Sequence, residues 1–142
     1  MDEWSIIRVD DPSLLVENSA LFDEPVTLEG AKDFLGRPGH LLLLALTSAG
    51  AGIGFVSGVV MRHPDKQAEM FVYELGVDEA WRQRGVAKAL LFAMRDEARA
   101  RGCMAMWTGT EADNGAALAT YRSVGATVDS DSVFITWDDI SE

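Results

Sequence analysis

Between Met70 and Arg101 an apolar, β-rich stretch runs into a basic turn bearing a glycine and then into a long amphipathic pattern. Met70 to Val77 has the residue types of a strand. Val86 to Arg101 carries apolar residues at Ala87, Leu91, Met94 and Ala98, the spacing of one helical face, and Gly102 stops it as a C-terminal cap does. A strand that hands over to such a helix within a few residues needs neighbouring strands beside it and a sheet face beneath the helix. A mixed α/β sheet follows.

The rest of the chain supplies those neighbours. Trp4 to Val9 reads as a strand, and Asp11 can cap a helix that has Pro12 at its first position and runs weakly to about Ala20. Thr27 can cap a second helix over Leu28 to Leu35, ended by Gly36, Pro38 and Gly39. Leu41 to Thr47 and Ile53 to Met61 read as a hairpin around the turn Ser48 to Gly52, and His63-Pro64-Asp65 breaks the second strand. With Met70 to Val77 these give an antiparallel meander. After the long helix, Cys103 to Thr108 reads as a strand, and Asp113 or Asn114 can cap a helix through Val124 that Gly125 ends. Ala126 to Val128 and Val133 to Trp137 read as two last strands.

At 142 residues the chain is expected to form a single domain, 1–142. Twelve Lys and Arg stand against 23 Asp and Glu, a net charge of -11, which disfavours nucleic acid as a partner and favours a cationic small molecule. One cysteine, Cys103, leaves no internal disulfide, and His40 and His63 share no metal-ligand spacing, so no metal site is expected. Met1-Asp2-Glu3-Trp4 lacks the basic region of a secretory signal, and the apolar run Leu41 to Leu46 is too short to span a bilayer. A cytoplasmic location with no membrane partner is the expectation.

The turn before the long helix is the most informative feature. Arg82, Arg84, Lys88, Arg95, Arg99 and Arg101 are half of the 12 basic residues, concentrated in 82–101 of an acidic chain. A helix start exposes unpaired N–H groups and the positive end of the dipole, and the small Gly85 and Ala87 allow an anion close to the backbone. A phosphate-bearing ligand is the reading. The bland alternative is a strand–turn–helix with a solvated basic face. It is neither a Walker loop nor a dinucleotide fingerprint, because their glycine and lysine patterns are absent.

Arg82-Gln-Arg-Gly-Val-Ala resembles the Arg/Gln-x-x-Gly-x-Gly/Ala signature of the GNAT superfamily of acetyl-CoA-dependent N-acetyltransferases. Asn114, Tyr121 and Tyr-Arg-Ser-Val-Gly-Ala are similar to the last helix of that fold, and the element order matches over nearly the whole chain. Within the superfamily, Phe71-Val-Tyr-Glu-Leu-Gly-Val followed by Trp-Arg-Gln-Arg-Gly-Val-Ala-Lys-Ala-Leu looks like the type I aminoglycoside 3-N-acetyltransferases, as does the acidic end Trp137-Asp138-Asp139. That family usually carries Asp where this chain has Glu74, whose extra methylene lengthens the reach of the carboxylate. The resemblance implies a mostly antiparallel central sheet flanked by helices, acetyl-CoA as cofactor, and acetylation of the 3-amino group of an aminoglycoside, conferring antibiotic resistance. Exposed strand edges and the resemblance together allow a homodimer.

Roles follow on the matching positions. An ammonium must lose a proton before it attacks a thioester, and a carboxylate can take it directly or through water. Glu74 stands in an otherwise apolar strand, with Val72 two residues before it on the same face, where a carboxylate is costly unless used or paired. The resemblance makes Glu74 the base and a contact for substrate. It assigns Leu75, Gly76 and Val77 backbone contacts to the acetyl and pantetheine arm, and Tyr121 the proton for the departing thiolate. Pyrophosphate falls to Arg82, Gln83, Arg84, Gly85, Val86 and Ala87, and the pantetheine arm to Asn114, which can equally be a plain helix cap. Glu111, Asp113, Asp138 and Asp139 are candidates to hold substrate amines, although an acidic run is commonly a solvated face. Other acceptors remain open by the same chemistry: a polyamine, a small amine metabolite or a protein N-terminus. A non-catalytic acyl-CoA-binding module is the reading from another class.

Overall fold

A computed structural model describes residues 3–141, which divide at Gly109 and Thr110 into two compact units. The first holds a five-stranded sheet in the order β1-β2-β3-β4-β5. β1 (Trp4–Arg8), β2 (His40–Thr47), β3 (Gly52–Met61) and β4 (Glu69–Val77) form the expected antiparallel meander. β5 (Ala105–Trp107) lies parallel to β4, as a strand must when a crossover helix precedes it. That helix is α3 (Val86–Ala100), ended by Gly102 at φ 75.

Both faces of the sheet are covered, so its central strands read as continuous apolar runs rather than alternating ones. On one face α1 (Pro12–Glu17) and α2 (Leu28–Gly36) pack through a core of Val9, Leu15, Ala31, Leu42, Leu44 and Phe55. On the other, α3 buries Val86, Leu90, Leu91, Met94 and Ala98. Glycines on β3 let α3 come close. A Cβ at Gly54 would sit 3.0 Å from Val86 Cγ1, and one at Gly58 would sit 2.9 Å from the Met94 sulfur. Each fully buried side chain of this kind contributes roughly 1.5–3 kcal/mol.

The caps expected for α1 and α2 form. Asp11 accepts from the Ser13 N–H at 3.0 Å with Pro12 opening the helix, and Thr27 accepts from the Gly30 N–H at 3.0 Å. Between the two helices, a 3-10 turn (Ser19–Leu21) leads into a loop fastened at several points. Asn18 accepts from the Gly52 N–H at 3.1 Å and donates to the Leu14 carbonyl at 2.9 Å. Ser19 Oγ accepts from the Val26 N–H at 2.8 Å, and the Phe22 ring stacks on Phe55 with centroids 4.0 Å apart.

One feature of β4 overturns an expectation. Ser57 pairs with Glu74 but Gly58 pairs with Val72, so Tyr73 is an extra residue, a β-bulge. Gly58 and Val72 face α3. Glu74 and Gly76 face the α1–α2 side with Ser57 and Phe55. Val72 and Glu74 therefore lie on opposite faces, not the same one, because the bulge resets the alternation.

In the second unit, α4 (Gly115–Ser123) is capped by Asn114, whose Oδ1 accepts from the Ala117 N–H at 3.1 Å. Gly125 at φ 93 ends it, and the Ala126 N–H returns to the Tyr121 carbonyl. The strands expected at Ala126–Val128 and Val133–Trp137 do not form: among the described residues nothing after α4 is helix or strand. Val133, Phe134, Ile135, Trp137 and Ile140 are all exposed there. Their types favour a strand, but a strand exists only with a partner, and no pairing forms. Among the described residues no helix is long and apolar enough to cross a membrane.

Candidate active site

The two ends of β4 differ in what lies beside them. At its start, Glu69, Met70 and Phe71 pair with Ala105, Met106 and Trp107. There the pairing with β5 stops, and Thr108 Oγ1 donates to the Val72 carbonyl at 2.8 Å. From Glu74 to Val77 β4 keeps only β3 beside it. The Asp78 N–H donates to the Ile53 carbonyl, so alternation along the ladder turns the Gly76 N–H toward β3 and those of Leu75 and Val77 toward the open edge. Donors on an edge without a strand partner suit a carbonyl that gains negative charge.

Glu74 stands at the head of this open stretch. Its backbone N–H donates to Ser57 Oγ at 3.1 Å, and Ser57 is the buried polar residue of the core. The bond fixes the bulge and leaves the Glu74 carboxylate half-buried on the α1–α2 face. Burial chiefly, and the negative charge of Asp23 after it, hold its pKa above the ordinary glutamate value. Neither Glu74 nor Asp23 forms an ion pair among the described residues. A carboxylate with a raised proton affinity and no ion-pair partner among the described residues is suited to accept a proton from a substrate.

Nothing in the sequence near Asp23 marks it. It reaches this place through the loop ties, with the Leu21 carbonyl 3.2 Å from where a Cβ on Gly76 would be. Aromatic surface completes the face. Phe71 meets Tyr73 and Trp107 at centroid distances of 5.6 and 4.6 Å, and Tyr73 and Trp107 are exposed.

Beyond Val77, a 3-10 turn (Glu79–Trp81) leads to the basic turn. Gln83 at φ 62 and Gly85 at φ 84 both take the left-handed conformation, which bends the chain tightly into α3. No side chain caps α3, and a Cβ at Gly85 would meet nothing within 4 Å. The first-turn N–H groups, Val86 and Ala87 among them, receive no side-chain cap. Arg82 Nε reaches the Val77 carbonyl at 3.4 Å, and the Arg84 guanidinium lies 5.0 Å over the Trp81 ring. Arg82, Arg84 and Lys88 are exposed and form no ion pair among the described residues. An uncapped helix start, room beside Gly85 and cations without an ion pair among the described residues fit a pyrophosphate.

The remaining candidates belong to the second unit. Asn114 uses its side-chain oxygen in the α4 cap, and its Nδ2 reaches Thr110 Oγ1 at 3.4 Å. Tyr121 is half-buried on α4. Glu111, Asp113, Asp138 and Asp139 are all exposed, the last two on the segment that lacks the expected strand.

Residues 6–126 match the acetyltransferase (GNAT) family. The chain is 31% identical over 124 residues to a mycothiol acetyltransferase of Saccharopolyspora erythraea, covering 86% of this chain and 39% of that protein. It is 32% identical over 96 residues to the [ribosomal protein bS18]-alanine N-acetyltransferase of Salmonella typhimurium, covering 66% of this chain and 61% of that protein. The chain thus spans 39% and 61% of the length of these two curated relatives. Among solved structures, the aminoglycoside acetyltransferase meta-AAC0020 from an uncultured soil metagenomic sample, in complex with sisomicin, superposes with a TM-score of 0.84 at 19% identity, covering 95% of each chain. Aminoglycoside N-acetyltransferase AAC(6')-Iy in complex with CoA superposes with a TM-score of 0.82 at 20% identity, covering 96% of each. The latter is of the 6'-type, whereas the sequence resemblance is to the 3-N type.

Proposed function

Because this chain belongs to the acetyltransferase (GNAT) family and that family uses acetyl-CoA, we propose that it acetylates a primary amine of a polycationic small molecule, an aminoglycoside being the class in view. The carrying observation is Glu74: half-buried, without an ion pair among the described residues, raised in pKa, and set where β4 loses its second neighbour. Acetyl-CoA, when bound, supplies an activated acetyl thioester. Glu74 takes the proton that the acceptor ammonium must lose. The N–H groups of Leu75 and Val77 offer hydrogen bonds along the open edge, and Gly76 leaves room for the Phe55 ring and the Leu21 carbonyl over that stretch of strand. Arg82, Gln83, Arg84, Gly85, Val86 and Ala87 hold the pyrophosphate. On the resemblance alone, Asn114 holds the pantetheine arm, Tyr121 supplies the last proton, and Glu111, Asp113, Asp138 and Asp139 attract substrate amines. In this reading residues 1–142 act as one catalytic domain, and resistance to the drug is the outcome in a cell.

The 3-amino position rests on the likeness of Phe71 to Val77 and of Trp81 to Leu90 to the 3-N enzymes. Mass spectrometry of gentamicin, kanamycin and spermidine after incubation with acetyl-CoA tests the reading. The gain of one acetyl group on a drug supports it, and NMR then assigns the 3- or the 6'-position. A gain on spermidine alone keeps the chemistry and removes the drug. A second reading, acetylation of a protein N-terminal amine, is favoured by the 32% identity to the bS18-alanine N-acetyltransferase. Acetylation of an alanine-leading peptide in preference to every polyamine would establish it.

A further inference from the structure

Arg84 is an exposed cation of the basic turn, and a ring rather than an acid holds its side chain. Gln83 at φ 62 and Gly85 at φ 84 flank it, and among the described residues Gln83 alone takes a positive φ without being glycine. That conformation is costly for a residue with a side chain and persists only where its surroundings enforce it. The bend brings the Arg84 guanidinium carbon to 5.0 Å from the centroid of the Trp81 ring. Trp81 is half-buried and stands on an anchored turn. Its N–H donates to the Asp78 carbonyl at 2.8 Å, Asp78 Oδ1 accepts from the Ala80 N–H at 2.9 Å, and the Asp78 N–H is tied to the Ile53 carbonyl of β3 at 2.8 Å. Two acidic residues, Asp78 and Glu79, lie a few positions before Arg84, yet neither forms an ion pair with it among the described residues. The distinction matters for an anion site. A carboxylate would hold the guanidinium and cancel its charge toward a phosphate. An aromatic face holds it through the ring quadrupole and leaves its charge and its edge N–H donors for a ligand. An arginine already laid on a ring also has less rotamer freedom to lose on binding.

We propose that Trp81 is a positioning residue of the cofactor turn, holding Arg84 in place and without an acidic partner so that it meets the pyrophosphate of acetyl-CoA. This rests on the pyrophosphate reading above and deepens it. Trp81 acts through Arg84 and needs no contact of its own with the cofactor. Its effect therefore exists only while Arg84 is present.

The test is a double-mutant cycle on the full chain, read by calorimetry. The probes are coenzyme A and dephospho-coenzyme A, which keeps the pyrophosphate and lacks the ribose phosphate. Arg84→Gln is expected to raise Kd about tenfold for both, the scale of one charge-assisted hydrogen bond. Trp81→Leu is expected to raise it about two- to fivefold, the scale of an exposed cation–π contact. Trp81→Phe keeps an aromatic face and should lose less than Trp81→Leu. The double variant Trp81→Leu/Arg84→Gln should bind no more weakly than Arg84→Gln alone. Trp81→Gln takes the place of Trp81→Leu in the cycle if the latter does not fold. A further loss from Trp81→Leu in the Arg84→Gln background overturns the proposal. So does an Arg84→Gln variant that binds as wild type does, or a loss confined to coenzyme A. A wild type that binds neither probe removes the pyrophosphate reading and the proposal with it. Failure of the acetyltransferase reading shows separately, as absence of acetyl transfer in the mass spectrometric assay by a chain that still binds coenzyme A.

Discussion

The two ends of β4 are one strand in two environments. From Glu69 to Phe71 the strand has β3 on one side and β5 on the other, and Met70 is fully buried. From Glu74 to Val77 it has β3 alone, with a half-buried carboxylate and backbone donors turned to an open edge. The paired end satisfies its polar groups within the protein and contributes stability. The open end leaves backbone polar groups without a second strand partner, which costs stability unless something else satisfies them. The bulge at Tyr73 and the Thr108 hydroxyl on the Val72 carbonyl mark the boundary between them.

That contrast predicts a double dissociation. Glu74→Gln should lower kcat/KM for the acceptor by about 10²- to 10⁴-fold, the range for a lost general base. Its thermal midpoint and its affinity for coenzyme A should stay near those of wild type. Retained turnover would place the base elsewhere. Met70→Ala, at the other end, should destabilise the fold by about 2–5 kcal/mol in urea titration. The remaining folded fraction should turn over at the wild-type rate per molecule, and a proportionate fall in kcat would dissolve the distinction. Thr108→Val, on the boundary, removes the donor from a part-buried carbonyl and should cost about 1–3 kcal/mol. If the boundary sets the gap, KM for acetyl-CoA should rise in that variant while Met70→Ala leaves it unchanged.

The smallest expected effect is on the pH profile. Burial first and Asp23 second raise the pKa of Glu74, and the carboxylate acts only when deprotonated. The acid limb of kcat/KM should therefore lie above the range of an ordinary glutamate. Asp23→Asn removes one negative neighbour and leaves burial in place, so the limb should move to lower pH without reaching the ordinary value. A limb that stays put would mean that burial alone sets the titration.

Legibility in the sequence follows the range of the forces involved. The meander, α3 and their glycine stops are readable because the apolar spacing and the caps act locally: α3 begins at Val86 as expected and ends at Ala100 beside Gly102. The basic turn is readable for the same reason. The bulge is not, since Met70-Phe-Val-Tyr-Glu-Leu alternates without interruption on paper. Only pairing with Ser57 and Gly58 shows the extra residue. Asp23 is invisible because its position depends on Phe22 finding Phe55 and on Asn18 finding Gly52. The segment Val133–Trp137 fails in the opposite sense, with strong local preference for a strand and no strand pairing among the described residues.

The way the α1–α2 loop is hung has an evolutionary consequence. Its attachments are at Asn18, Ser19, Phe22 and Val26, while Asp23, Glu24 and Pro25 are exposed. Substitutions at those three positions can accumulate at little thermodynamic cost while the anchors hold. A duplicated copy of this chain could drift from one amine to another by changing a few exposed side chains, with the chemistry of the strand beneath inherited intact.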